Sequence, residues 1–280
     1  RDRSPSRGLG DVYKRQFTGN AKFKVASANT SRVFQACLNF TTPVLQEPAV
    51  RKAIAMAIDK DKFTSVLLNG NGTPAVGPFP ANMPCGGDAV HTDAYNAEQA
   101  KKLLREAGWT DTDGNGYVDK NGQDLTVRWL TYTSRQELPL LAEAAQAFLK
   151  EVGIRAEVNA TDNYNDFLKR GDWDIYAKAF VAAPTGDPQY YFTTHVLDSS
   201  SYNSGHYHNE RVEELTRQLR GEFDPAARSR LAVQISQQLL DDNAFIYASN
   251  LKKSFVMKSN IKGFTAHPSD YYEITSDLEV

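Results

Sequence analysis

Hydrophobic residues recur at helical spacing in the segment that follows Glu47. The apolar stripe consists of Val50, Ala53, Ile54, Ala57 and Ile58. This spacing predicts an amphipathic helix over residues 48–58, with Arg51, Lys52 and Asp59 facing water. A second short helix over 60–68 is expected next, followed by a long loop over 69–92, because glycine and proline interrupt regular structure there.

The clearest patterning lies in the middle of the chain, where strand-like and helix-like runs alternate. Residues 125–132 alternate apolar and polar side chains, and the runs 154–159 and 173–181 also favour strands. Helices over 138–152 and 164–169 separate them, the first ended by Gly153. This order predicts an α/β fold with a mostly parallel sheet flanked by helices.

The flanking regions add further helices and short strands. Asn96 and Asp224 are suitable helix N-caps, and Gly108 is a suitable C-terminal cap. These signals predict helices over 96–107, 209–220 and 225–241. Short strands are expected within 23–40, where residues 36–40 read ACLNF, and over 244–249, 255–257 and 261–264.

The amino-acid composition excludes fewer functions than the hydrophobic pattern does. The 280 residues carry a net charge of −2, which gives no reason to expect nucleic acid or an anionic membrane as partner. No apolar run reaches the roughly 18 residues that a membrane-spanning helix needs. Cys37 and Cys85 form no metal-type cluster, and they are either two buried thiols or one disulfide.

The first residues differ in character from the rest. Residues 1–16 carry five basic side chains and almost no apolar ones, so they cannot join a core. They are a non-native translated adapter, a disordered tail or a basic arm, and the first interpretation is favoured. The predicted organisation is therefore a leader at 1–19, a ligand-binding lobe at 20–250 and a return segment at 251–280.

Two phrases carry a family resemblance. One runs from Glu47 to Pro80 and contains VRKAIAMAID and GPFP, and the other joins AFLKEVGI at residues 147–154 to GDWDIYAKAF at residues 171–180. Both resemble the extracytoplasmic solute-binding proteins of ABC importers, in the peptide- and nickel-binding family. The resemblance implies a type II periplasmic-binding-protein-like lobe, with this chain as the C-terminal half and the N-terminal lobe largely missing.

The resemblance also bears on ligand class through the segment at 183–188, Ala-Pro-Thr-Gly-Asp-Pro. Peptide-binding members carry an aspartate that pairs with the peptide amino terminus at the position of Pro184, which cannot hold an ammonium group. Nickel-binding members are similar to this segment, so a chelated nickel ion is favoured. Asp187 either contributes to the site or caps the helix beginning at Pro188. The predicted ligand-binding residues are Pro184, Asp187, Tyr190, Tyr191 and Tyr202.

Histidine is the commonest side chain for borderline metals such as nickel. His195, His206 and His208 crowd one stretch, whereas His91 and His267 stand apart. In the family this loop faces the cleft between lobes, so the three crowded histidines are the candidate metal ligands. The alternative is that each is solvated or serves a helix start.

A second candidate cation site lies at 111–122. Asp111, Asp113, Asn115 and Asp119 match the first ligands of a calcium loop, but Gly122 stands where the bidentate glutamate belongs. A plain turn is therefore favoured over a calcium site, and no cofactor is expected.

Enzyme motifs such as GxSxG, HExxH, GxGxxG and the P-loop are absent from the sequence. The sequence thus predicts a non-enzymatic, monomeric substrate-binding component that delivers nickel to an ABC permease. It would work in the periplasm or lipid-anchored on the outer face of the cytoplasmic membrane. The alternatives are the same fold binding a peptide or another organic solute, a secreted hydrolase, and a ligand-gated sensor domain.

Overall fold

A six-stranded mixed sheet is the frame of the molecule. The computed structural model describes residues 17, 19–269 and 274–279. The strands are β1 (Phe23–Leu38), β2 (Gly72–Pro74), β3 (Asp119–Lys120), β4 (Gln123–Asp124), β5 (Thr126–Thr131), β6 (Arg155–Ala160), β7 (Ile175–Val181) and β8 (Phe245–Lys258). The order in the large sheet is β2-β8-β1-β7-β5-β6, and β3 pairs with β4 in a separate hairpin.

Strand direction confirms one part of the prediction and corrects another. Strand β5 runs parallel to both β6 and β7, as the alternation of strands and helices requires. The other three pairings, β1 with β7, β1 with β8 and β2 with β8, are antiparallel. The expectation of a mostly parallel sheet is therefore wrong, because it extended the pattern of the middle segment to strands that the chain ends supply.

The predicted helices are present with small shifts at their ends. The helices of the structure are α1 (Pro43–Gln46), α2 (Pro48–Ala57), α3 (Lys60–Lys62), α4 (Ala97–Glu106), α5 (Glu137–Glu151), α6 (Tyr164–Arg170), α7 (Gln189–His195), α8 (Glu210–Gly221) and α9 (Pro225–Asp241). Of these, α1 was not predicted. A π-helical turn, Phe63–Leu67, continues α3. The predicted caps hold: Asn96 accepts from Gln99 N at 2.9 Å, and Asp224 accepts from Ala227 N at 2.8 Å.

Both faces of the large sheet are buried under helices. One apolar cluster joins the sheet to α2, α4 and α5, through side chains such as Ile54, Leu104 and Leu141. The other joins it to α7, α8 and α9, through Phe192, Leu219 and Ile235. Along β7, Ile175 and Ala177 belong to the first cluster and Tyr176 to the second, as strand alternation demands.

The C-terminal strands differ from their prediction. Residues 245–258 form one continuous strand, β8, which pairs with β1 along most of its length. The boundary expected at 250/251 falls inside this strand. No strand forms over 261–264, where the described residues show only an isolated bridge between Lys262 and Glu279. Residues 1–16 and 18, most of the predicted leader, lie outside the described residues.

The two cysteines are buried, free thiols rather than a disulfide. Burial raises the pKa of Cys37 and raises that of Cys85 to about 11, so both stay protonated at neutral pH. None of the helices in the described part of the chain is both long enough and apolar enough to cross a bilayer.

Arg51 is buried, contrary to the expectation that it faces water. Its Nη1 donates to Leu45 O at 2.9 Å and to Gln46 O at 3.1 Å, and its Nε donates to Asp242 O at 3.0 Å. The guanidinium also lies over the Phe40 ring, 4.7 Å from the centroid. These carbonyls lie at the ends of α1 and α9, where helices leave acceptors without intrahelical partners.

We expect Arg51→Met to lower the free energy of unfolding by about 2–3 kcal/mol, because three carbonyls lose a charged donor. Lys52→Met is the matched control, since Lys52 is half-exposed and pairs only with the exposed Asp93. Urea unfolding followed by circular dichroism measures both. Equal losses in the two variants would contradict the role assigned to Arg51.

Candidate functional site

The carboxyl end of β7 is where a ligand site is expected in an α/β sheet. The segment that follows, residues 182–188, is held against β1 by two hydrogen bonds. Ala182 N donates to Ser31 O at 2.8 Å, and Ser31 Oγ donates to Ala183 O at 3.2 Å. The neighbouring strand therefore fixes the backbone of this segment.

A small cavity opens at this end of β7, and we call it the carboxyl-edge cavity. Its volume is about 240 Å³. Its polar lining residues are Ser31, Asn82, Thr185, His267 and Ser269, and Pro184 adds an apolar wall. None of the described residues that line it is acidic. The described part of the lining is therefore polar but offers no carboxylate.

Asp187 lies just beyond this cavity and is fully engaged. Its Oδ1 accepts from Gln189 N, the first amide of α7, at 2.8 Å, although Pro188 rather than Asp187 occupies the N-cap position. Arg228 holds both of its oxygens, with Nη2 at 2.8 Å from Oδ1 and 2.6 Å from Oδ2. A carboxylate paired in this way is structural.

Of the three tyrosines predicted to bind the ligand, one lies in the core and two lie on the surface. Tyr191 is fully buried, and its hydroxyl lies 2.9 Å from Gln35 Oε1 and 2.8 Å from the Tyr247 hydroxyl. It is a core residue, so its assignment to the ligand wall is corrected. Tyr190 and Tyr202 are exposed to 45% and 62%, because they lie on the outer side of α7 and in the loop after it.

The structure separates the three candidate metal ligands. His206 and His208 line one cavity of about 690 Å³, which we call the histidine cavity. His195 does not line it. It is buried, with its ring 3.8 Å from that of Phe180 and its Nδ1 3.4 Å from Lys178 Nζ. The expectation that all three imidazoles share one rim is therefore not met.

The histidine cavity lies near the start of β7, at the end of the strand opposite to Pro184. Phe40 N donates to Gly205 O at 2.8 Å, and a Cβ on Gly205 would collide with Leu38 O. Leu38 pairs with Ile175, the first residue of β7. At about 3.3 Å per residue, the two ends of β7 are roughly 20 Å apart. The loop after α7 thus carries these histidines away from the carboxyl-edge cavity.

Lys178 is a residue that the sequence analysis missed. It lies on β7, is only 8% exposed, and donates from Nζ to Tyr202 O at 3.2 Å. Among the described residues no carboxylate lies within 4 Å of this amine. Burial lowers its pKa. A lysine inside the otherwise apolar run AKAFV was the available signal.

The segment weighed as a plain turn or a calcium loop contains several hydrogen bonds from backbone amides to its carboxylates. Asp111 accepts from Gly114 N and Gly116 N at 2.8 and 2.9 Å. Asp119 accepts from the backbone and hydroxyl of Thr112, at 2.7 Å for the amide. These bonds suit the plain turn that the sequence favours, and the choice between turn and calcium site stays a prediction.

We expect the buried His195 to make stability depend on pH. Burial, with the charge of Lys178 as a second cause, lowers its pKa to about 3, against about 6.5 when unfolded. Between these values the unfolded state binds the extra proton, so stability is lost as pH falls through this window. From pH 7 to pH 4.5, His195→Asn should lose about 2 kcal/mol less stability than the parent chain. Equal losses in urea unfolding would contradict this assignment.

The comparisons with known proteins agree on one family. The family model described as bacterial extracellular solute-binding proteins, family 5 middle, matches residues 8–203. The nickel-binding protein NikA of Staphylococcus aureus is 26% identical over 256 residues, covering 91% of this chain and 50% of NikA. The oligopeptide-binding protein AppA of Bacillus subtilis is 26% identical over 243 residues, covering 84% and 45%. The chain spans about half the length of the curated relatives it matches.

Solved structures give the same fold. A nickel ABC transporter protein from Bacillus halodurans superposes with a TM-score of 0.82 at 23% identity, covering 97% of this chain and 56% of that one. AppA of Bacillus subtilis in complex with a nonapeptide gives 0.78 at 22% identity, covering 92% and 52%. Staphylococcus aureus NikA in complex with Ni(L-His)2 gives 0.77 at 24% identity, covering 94% and 54%. The fold is therefore that of a type II periplasmic-binding-protein-like lobe.

Proposed function

The chain belongs to the bacterial extracellular solute-binding proteins of family 5, and on that premise we propose that it forms part of the substrate-binding component of an ABC importer. It works outside the cytoplasmic membrane, binds a small solute and delivers it to the permease without chemical change. Solute contacts on this lobe and on the rest of the protein favour the closed state, because only differential contacts shift a conformational equilibrium.

The solute is a nickel ion held by a small chelator, and the carboxyl-edge cavity is the contact on this lobe. The observation that carries this choice is that the described residues lining the cavity include no spare carboxylate. Pro184 has no charge, and Asp187 is held by Arg228. A peptide ammonium group needs an anion or several acceptors when it is desolvated, whereas a chelate with carboxylate groups does not.

Lys178 supports an anionic solute. It is a buried amine with a carbonyl and an imidazole near it and no carboxylate within 4 Å among the described residues. Its burial lacks the paired anion that normally compensates a buried charge. Lys178 does not line the carboxyl-edge cavity. It is therefore a second contact of the solute on this lobe, where a carboxylate of the chelator would supply that anion beside Tyr202. His267 adds an imidazole to the lining of the cavity.

A peptide is the second candidate solute, because the oligopeptide-binding AppA is as similar to this chain as the nickel-binding NikA is. In that case the partner of the peptide ammonium would come from outside the carboxyl-edge cavity. The two candidates share the fold and the importer, so only the ligand separates them.

Calorimetric competition on the full-length protein tests the choice. We expect Ni²⁺ with two equivalents of histidine to bind with a stoichiometry of one, and a mixture of tripeptides neither to bind nor to displace it. The physical reason is that no carboxylate of the described residues lines the carboxyl-edge cavity to hold a peptide ammonium group. Peptide binding that is unaffected by nickel would overturn the nickel assignment and leave the importer assignment standing.

Lys178→Met should weaken chelate binding by about 10-fold or more, because a desolvated charge pair contributes at least about 1.4 kcal/mol. Lys169→Met is the matched control, since Lys169 is an exposed lysine at the histidine cavity. Circular dichroism confirms that both variants fold. If both lost affinity equally, the effect would be one of net charge, and Lys178 would have no direct contact with the chelate.

A further inference from the structure

A cluster of metal-binding side chains lies at the start of α8, on the wall of the histidine cavity. It consists of Asp198, His208 and Glu213, and one ligand atom from each lies within 4.8 Å of the other two. His208 Nδ1 donates to Asp198 Oδ2 at 2.6 Å, and Asp198 N donates to Glu213 Oε1 at 2.9 Å. The backbone of one ligand thus positions the side chain of another.

The charge in this cluster is unbalanced. Two carboxylates face each other, and no lysine or arginine of the described residues lies within 4 Å of either. Among the described residues, the ion-pair partner within 4 Å of these carboxylates is the His208 imidazole, which carries charge only when it is protonated. The Asp198 and His208 side chains are about half exposed, so a hydrated ion can reach both from the cavity.

We propose that Asp198, His208 and Glu213 bind a divalent cation of the zinc and nickel class. One imidazole nitrogen with two carboxylate oxygens is a donor set that suits these borderline ions better than calcium or magnesium. Three protein ligands leave the remaining coordination positions to water, on the side of the cavity. The ion would join the loop after α7 to the first turn of α8.

Binding requires a small rearrangement. Two atoms that each lie about 2.1 Å from a tetrahedral ion are about 3.4 Å apart, so the 2.6 Å contact between His208 and Asp198 must widen. The exposed side chains can rotate by this amount. The ion replaces the hydrogen bond between them, and a proton on His208 Nδ1 leaves to solvent or moves to Nε2.

This site is separate from the solute site of the proposed function and does not rest on it. It lies toward the opposite end of β7 from Pro184. The acidic turn at 111–119 is the other group of possible ligands in the described residues. That turn offers only oxygens, and its carboxylates already accept backbone hydrogen bonds, so zinc favours the cluster that contains His208.

The test is titration of Zn²⁺ alone into the metal-free full-length protein, against a chromophoric chelator. We expect one equivalent to bind and to raise the melting temperature. His208→Ala should weaken binding by about 10-fold or more, since loss of a direct ligand costs at least as much as loss of an outer-shell partner. His206→Ala is the matched control, because His206 lines the same cavity outside the cluster. Glu213→Gln provides a second variant that keeps the imidazole.

Three results would overturn the proposal: no zinc binding to the parent protein, equal losses in the His206 and His208 variants, or loss of binding in Asp113→Asn. The two proposals therefore fail separately, since the solute site is probed by the nickel–histidine chelate and this site by the free ion.

Discussion

The pairing of β1 with both β7 and β8 is the constraint on which the rest of the structure depends. It joins the parallel half of the sheet to the last strand and buries both faces of the sheet under helices. The same strand also places the two candidate sites. Ser31, in the middle of β1, forms hydrogen bonds with the segment after β7. Leu38, at the end of β1, and Phe40, just beyond it, contact the loop at Gly205. The separation of the sites follows from the length of one strand.

Local pattern was enough to predict the helices and the parallel strand–helix unit, because helical spacing, caps and strand alternation are encoded within short windows. The antiparallel pairings were not predictable in this way. They join residues that lie from 137 positions apart (Leu38 with Ile175) to 235 positions apart (Phe23 with Lys258), and no local signal specifies their direction or register. The error over Arg51 has the same origin, since its third acceptor, Asp242 O, lies at the far end of α9.

The candidate sites were less predictable than the fold. The family resemblance singled out Pro184, and in the structure it lines a cavity at the carboxyl end of β7, where ligands bind in this architecture. Tyr191 and His195 were assigned to the ligand site from their proximity in sequence, and both assignments were wrong. Tyr191 is buried although its neighbour Tyr190 on the same helix is exposed, and His195 packs into the core beside Lys178. The roles proposed for Lys178 and His267 depend on neighbours from other elements of the fold, which the sequence does not place beside them.

The two proposed sites differ in charge, and this difference would lead each site to exclude the ligand proposed for the other. The carboxyl-edge cavity has no carboxylate among its described lining, so a free cation finds no counter-charge there, whereas an anionic chelate meets no repulsion. The cluster at the start of α8 sets two carboxylates side by side, which repels an anionic chelate and attracts a bare ion. The sites lie toward opposite ends of β7, farther apart than the distance over which salt screens charges. The electrostatic potential of one site therefore has little effect on a ligand at the other.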